Sequence, residues 1–117
     1  MRIETRREWK VNILDLSGNI TIGKGDVVLR NAIGEMLQAG EKLFLLNMDD
    51  VGYVDSAGIG EVVATYKRVS ERDGTIKLVL PERGKAQKVF MMASLDRVFE
   101  IFGDEAAALA SFPMDAG

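Results

Sequence analysis

Near the middle of the chain four large apolar residues stand in a row, Leu43-Phe44-Leu45-Leu46, with Glu41 and Lys42 before them and Asn47, Asp49 and Asp50 behind. The run is too short for an ordinary helix, and because it does not alternate, neither of its faces can be given to water. It therefore predicts a strand at the centre of a sheet, covered on both sides. The cover must come from the rest of a 117-residue chain, the size of one domain with one core.

The flanking segments supply that cover. Residues 3–9 and 11–16 alternate partly with period two and predict two neighbouring antiparallel strands. A short strand is expected at Ile20-Thr21-Ile22, among the turn-forming Gly18, Gly23 and Gly25, with Asp26 as the cap of a first helix. Over 27–39, Val28, Leu29, Ala32, Ile33, Met36 and Leu37 recur at helical spacing, and Gly40 closes the run. A loop over 49–55 then leads to a second helix that starts near Ser56 and ends before Gly74, with Ile59, Val62, Val63, Tyr66 and Val69 turned to the sheet. A strand over 75–80, a helix over 84–95, an edge strand over 98–102 and a last helix capped by Asp104 complete the order. Adjacent strands followed by alternating helices and strands specify an α/β fold. We expect a mixed β-sheet of about four to five strands with about four helices packed on it, and all of 1–117 in one domain.

Composition bounds the chemistry. With no Cys and no His, the chain has no disulfide, no thiolate or imidazole metal ligand, no Cys nucleophile and no imidazole-based triad. Neither catalysis nor a cofactor nor a metal is expected. The 15 basic and 18 acidic residues are scattered and give a net charge of -3, which disfavours nucleic acid as a partner. No apolar stretch approaches the length of a membrane span or a signal-peptide core, so the expected location is the cytoplasm, in keeping with the lack of Cys. Gly23-Lys24-Gly25 lacks the spacing of a phosphate-binding loop and reads as a turn, while Asp49-Asp50 reads as a solvated loop end rather than a magnesium pair. Met91 and Met92, next to Phe90, offer either core packing or an adaptable binding surface, and Trp9 reads as an anchor for the first strands.

The most informative stretch is Asp55-Ser56-Ala57-Gly58-Ile59-Gly60, where a loop enters the second helix. Asp55 or Ser56 can accept from an orphan N–H of the first turn. On an ideal wheel Ser56 lies on the rim of the buried face with Gly60, Ala64 and Lys67, which leaves its hydroxyl open to solvent. Ala57, Gly60 and Ala64 form a patch of small side chains that another protein could approach closely.

Preceded by Leu45-Leu46-Asn47-Met48 and Val51-Gly52-Tyr53-Val54, this element resembles the signature of bacterial anti-sigma factor antagonists, the single-domain STAS proteins. The resemblance extends to Leu14-Asp15-Leu16-Ser17-Gly18-Asn19-Ile20-Thr21, to Lys77-Leu78-Val79-Leu80, to Leu95 with Val98-Phe99-Glu100-Ile101, and to Ala106-Ala107-Ala108-Leu109. It implies that Ser56 is a phosphoacceptor in a partner-switching cycle. The unmodified protein would bind an anti-sigma factor that is also a serine kinase and so free a sigma factor; phosphorylation would end the binding, and a PP2C-type serine phosphatase would restore it. With the small-residue patch, the expected partner surface comprises Asp26, Asp55, Ala57, Gly58, Gly60 and Ala64 on a monomer or weak dimer. A non-switching STAS subunit of a transport or stress-sensing complex is the alternative. A phosphate suits a helix N-terminus, so the fold should survive it. Asp49, Asp50 and Asp55 are expected to make the surroundings acidic, so that the added charge weakens binding.

Overall fold

A computed structural model describes residues 1–113. In chain order the elements are β1 (Arg2–Glu8), β2 (Val11–Ile20), α1 (Gly25–Gln38), β3 (Leu43–Val54), α2 (Ser56–Glu71), β4 (Thr75–Val79), α3 (Lys85–Met92), a 3-10 turn (Leu95–Arg97), β5 (Ile101–Phe102) and α4 (Glu105–Ala110). The strands form one sheet in the order β1-β2-β3-β4-β5, so the apolar run lies in the middle strand. β1 is antiparallel to β2, whereas β2, β3, β4 and β5 are mutually parallel, which makes the sheet mixed.

Strand alternation sends successive residues of the apolar run to opposite faces. Phe44 and Leu46 join Leu29, Ile33 and Leu37 of α1, Val62 and Val69 of α2, and Ala86 and Phe90 of α3 in the larger core cluster. Leu45 faces the other way, with Val11, Ile13, Val79, Ala108 and Phe112. This second cluster is closed by the short α4, whose cap Asp104 accepts from the Ala107 N–H at 2.8 Å. The buried Lys77 of β4 fastens the same end of the chain: its Nζ donates to Ser111 O at 3.0 Å, to Ser111 Oγ at 2.9 Å and to Glu100 Oε2 at 3.1 Å. It also lies 4.9 Å from the Phe112 ring centroid.

Several sequence expectations need correction. Residues 49–54 are the second half of β3 rather than a loop, and Ile20 ends β2 rather than starting a separate strand. The strand pairing explains the first difference. Asp15 pairs with Asn47 but Ser17 with Asp50, and Gly18 pairs with Val51 but Asn19 with Tyr53, so β3 carries an extra residue at two places. Each insertion breaks the period-two pattern while the pairing continues to Ile20 and Val54. Asp26 does not cap α1. The cap position is Lys24, and Asp26 sits in the first turn, where its Oδ1 accepts from the Val27 N–H at 2.8 Å. Helix α3 stops at Met92 because Ser94 takes a left-handed conformation with φ 57°, and Val98 and Phe99 precede the two-residue β5 rather than belonging to it.

Candidate functional site

The site is built where β3 hands over to α2, at the carboxyl ends of the parallel strands. Asp55 caps α2: its Oδ1 accepts from the Gly58 N–H at 2.8 Å, and its Oδ2 accepts from the Ile22 N–H at 3.0 Å. Its own N–H donates to the Ile20 carbonyl at 3.2 Å. One side chain thus ties the turn after β2 to the first turn of α2. The Gly58 N–H, followed by that of Ile22, holds the Asp55 carboxyl below the usual carboxylate range, so it stays charged at neutral pH.

Ser56, the first residue of α2, is exposed. Its hydroxyl projects from a helix N-terminus, where the peptide dipoles favour negative charge. Gly60 is also exposed, with open space where a Cβ would stand, while Ala57 and Ala64 are half-buried. Gly58 differs from the placement expected for it. It is buried, and a Cβ on it would meet the Ile20 carbonyl oxygen at 2.1 Å, so its missing side chain lets α2 press onto the end of β2. It shapes the site from below and lies off the exposed surface. Asp26 is half-buried in the first turn of α1.

The buried stripe of α2 is also rotated from the expected one. Its centre is Gly58, Glu61, Val62, Thr65 and Val69, while Ile59, Val63 and Tyr66 are half-buried and pack at its border. The carboxylate of Glu61 is held by Thr65 Oγ1 at 3.2 Å, by Arg68, and by Arg30 of α1 at 3.5 Å. Compensation by these two arginines is what allows a charge on the inner face, and an apolar count could not reveal it.

Two further departures concern the surroundings of Ser56. Asp49 and Asp50 do not adjoin it; β3 runs on for four residues after Asp50, roughly 13 Å of strand. Desolvation, then the charges of Asp50 and Glu105, raise the Asp49 carboxyl above its ordinary value. Asp55 is the acid of this motif that adjoins Ser56. Apolar groups, by contrast, are more prominent than the sequence suggested. An open depression beside Ser56 is lined by Tyr53, Ile59, Val89, Met92 and Ala93, and Met92 is 85% exposed, which removes it from the core. Ile22, held by Asp55, is 73% exposed. The signal for this rim was an apolar residue inside a Gly-rich turn and one methionine too many for the α3 stripe.

A charged cap, an exposed serine at a helix start and an apolar rim thus meet at the carboxyl end of the sheet. Among the described residues no group of acidic side chains could hold a metal ion, and no helix is long and apolar enough to cross a membrane. The chain is 37% identical over 73 residues to the anti-sigma-B factor antagonist of Bacillus subtilis, an alignment spanning 59% of this chain and 65% of that protein. The chain thus spans somewhat less than two-thirds of the length of that relative. In fold it is similar to an anti-sigma factor antagonist from Mycobacterium paratuberculosis, with a TM-score of 0.83 at 19% identity over 94% of this chain and 92% of that one. It is also similar to the Bacillus cell fate determinant SpoIIAA in its phosphorylated form, with a TM-score of 0.71 at 18% identity over 95% of this chain and 100% of that one. The STAS domain family matches residues 2–108, nearly all of the sheet and helices described above, and the chain belongs to that family.

Proposed function

We propose that the protein is an anti-sigma factor antagonist that works by phosphorylation-controlled partner switching. Unmodified, it binds an anti-sigma factor with serine kinase activity and frees a sigma factor; a phosphate on Ser56 ends the binding, and a PP2C-type phosphatase restores it. The observation that carries this reading is the exposed Ser56 at the first position of α2, beside a charged cap and an apolar rim. The name of the Bacillus subtilis relative supports the same partner class.

A phosphoryl group adds about -1.5 to -2 charges, which the α2 N-terminus accommodates through its dipole, so the fold stays intact. At the surface the same charge lies next to the Asp55 carboxylate and among Tyr53, Ile59 and Met92. A partner seated there must strip water from it without a counter-charge, and affinity falls. In this reading Ala57, Gly60 and Ala64 line the approach, Asp26 in the first turn of α1 contributes to it, and Gly58 sets its depth from below.

Incubation with the cognate anti-sigma kinase and ATP, followed by mass spectrometry, tests the assignment. Modification is expected at Ser56 with little elsewhere; modification mapped chiefly to Ser17, Ser70, Ser94 or Ser111 contradicts it. A non-switching subunit of a larger assembly would keep its partner after Ser56→Asp, whereas the switch requires that the partner be lost.

A further inference from the structure

At the edge of the sheet, β1 pairs, among the described residues, only with β2, and six of its seven residues are exposed. Such an edge offers unpaired N–H and C=O groups to another strand. Strand alternation puts Arg2, Glu4, Arg6 and Glu8 on one face, so the charges run plus, minus, plus, minus along it. Within the subunit Arg2 pairs with Glu4 at 2.8 Å, and Arg6 is held by Asp15 and Glu105. Glu8 has no ion pair among the described residues.

We infer that β1 is a self-association edge, and that its occupant is a second copy of this chain paired antiparallel about a two-fold axis at Thr5. In that register Arg2 faces Glu8 of the second copy and Glu4 faces its Arg6, and symmetry repeats each contact. Opposite charges stand at every charged position of this face, and Glu8 gains a counter-charge. The neighbouring registers fail. A slip of two residues one way sets Arg2 against Arg6 and Glu4 against itself; a slip the other way sets Glu4 against Glu8 and Arg6 against itself. Slips of one residue are excluded because the two-fold axis pairs only residues from the same face. Charge is the usual means of keeping an edge from pairing, but this order is complementary to its own reverse. The contact is narrow and its ion pairs are exposed, so association is weak, concentration-dependent and reduced by salt. It does not depend on Ser56 and stands whether or not the switch does.

Sedimentation velocity over a concentration series tests the edge. Arg2→Glu alone and Glu8→Arg alone each set like charges opposite one another in both symmetric contacts. Each is expected to weaken self-association about tenfold or more. An equimolar mixture of the two single variants restores opposite charges in both contacts, and so does the double variant Arg2→Glu/Glu8→Arg; both should associate as the wild type does. Circular dichroism on each sample reports folding, and recovery in the double variant separates a pairing effect from damage to a single chain. A wild type that stays monomeric at every concentration overturns the inference. So do single variants that associate like the wild type, or a mixture no better than its components.

Discussion

The two glycines of the first turns of α2 have opposite roles. A methyl group on Gly58 would stand 2.1 Å from the Ile20 carbonyl oxygen and 2.8 Å from Val54 Cγ1, so either α2 or the end of β2 must move. Gly58→Ala is expected to lower stability by about 1–3 kcal/mol or more, as overpacking against backbone does. Gly60 has open space at the same position. Gly60→Ala should therefore raise stability by about 0.5–1 kcal/mol, because alanine removes the entropic cost of glycine in a helix. Urea titrations of both variants check the pair, and destabilisation of similar size at both positions would contradict the packing described. Asp55 has a different task. Asp55→Ala frees the N–H groups of Gly58 and Ile22 together, so it should lower the melting temperature and speed amide exchange at both residues. Exchange that changes at Gly58 alone would mean that the turn is held by other contacts.

Among the elements, α4 does most relative to its length, because six residues close the second core cluster. Phe112, just beyond the helix, is 2% exposed. Phe112→Ala should cost about 3–5 kcal/mol, and a loss below about 1 kcal/mol in chemical denaturation would show that this face is not a packed core. The apolar residues behind the Asp104 cap, Ala108, Leu109 and Phe112, could be seen in the sequence, as could the central strand through its unbroken apolar run. The second half of β3 was not. Its two extra residues set Asp49, Asp50 and Gly52 out of phase with the strand period, and acidic residues near a glycine read as a loop unless the partner strand is known. Asp26 misled for a related reason: a cap is chosen by where the backbone turns, and here it turns at Lys24. Around the candidate site Ser56 and Gly60 could be placed from helical phase, and Asp55 only as one of two capping candidates. Tyr53, Val89 and Met92 could not, because they come together only when α3 packs beside the N-terminus of α2.

Across the whole molecule, acid should loosen the fold through a few identified carboxylates. The Asp15 carboxyl is lowered chiefly by its hydrogen bond from Arg6, that of Glu41 by Asn12 and then Arg7, and that of Asp55 by the N–H groups of Gly58 and Ile22. Each folded pKa lies below its unfolded value of about 4, so the stabilisation is fully present above that pH and is lost as pH falls through the lowered values. Asp49 is shifted the other way, so Asp49→Asn should be slightly stabilising at neutral pH, with the gain shrinking as acid protonates Asp49 in the folded wild type. Thermal melts from pH 7 down to about 3 test both signs; a wild type that grows more stable over the last unit would contradict the first. One phosphate on Ser56, at the start of α2, should abolish partner binding while leaving the fold unchanged. The most direct measurement is a calorimetric titration of the same anti-sigma kinase with unmodified and Ser56-phosphorylated protein, with a thermal melt of each. Binding weakened about a hundredfold or more, with melting temperatures that coincide within a few degrees, is the expected result. Equal affinity for the two forms, or a phosphorylated protein that binds poorly because it has unfolded, would contradict the account.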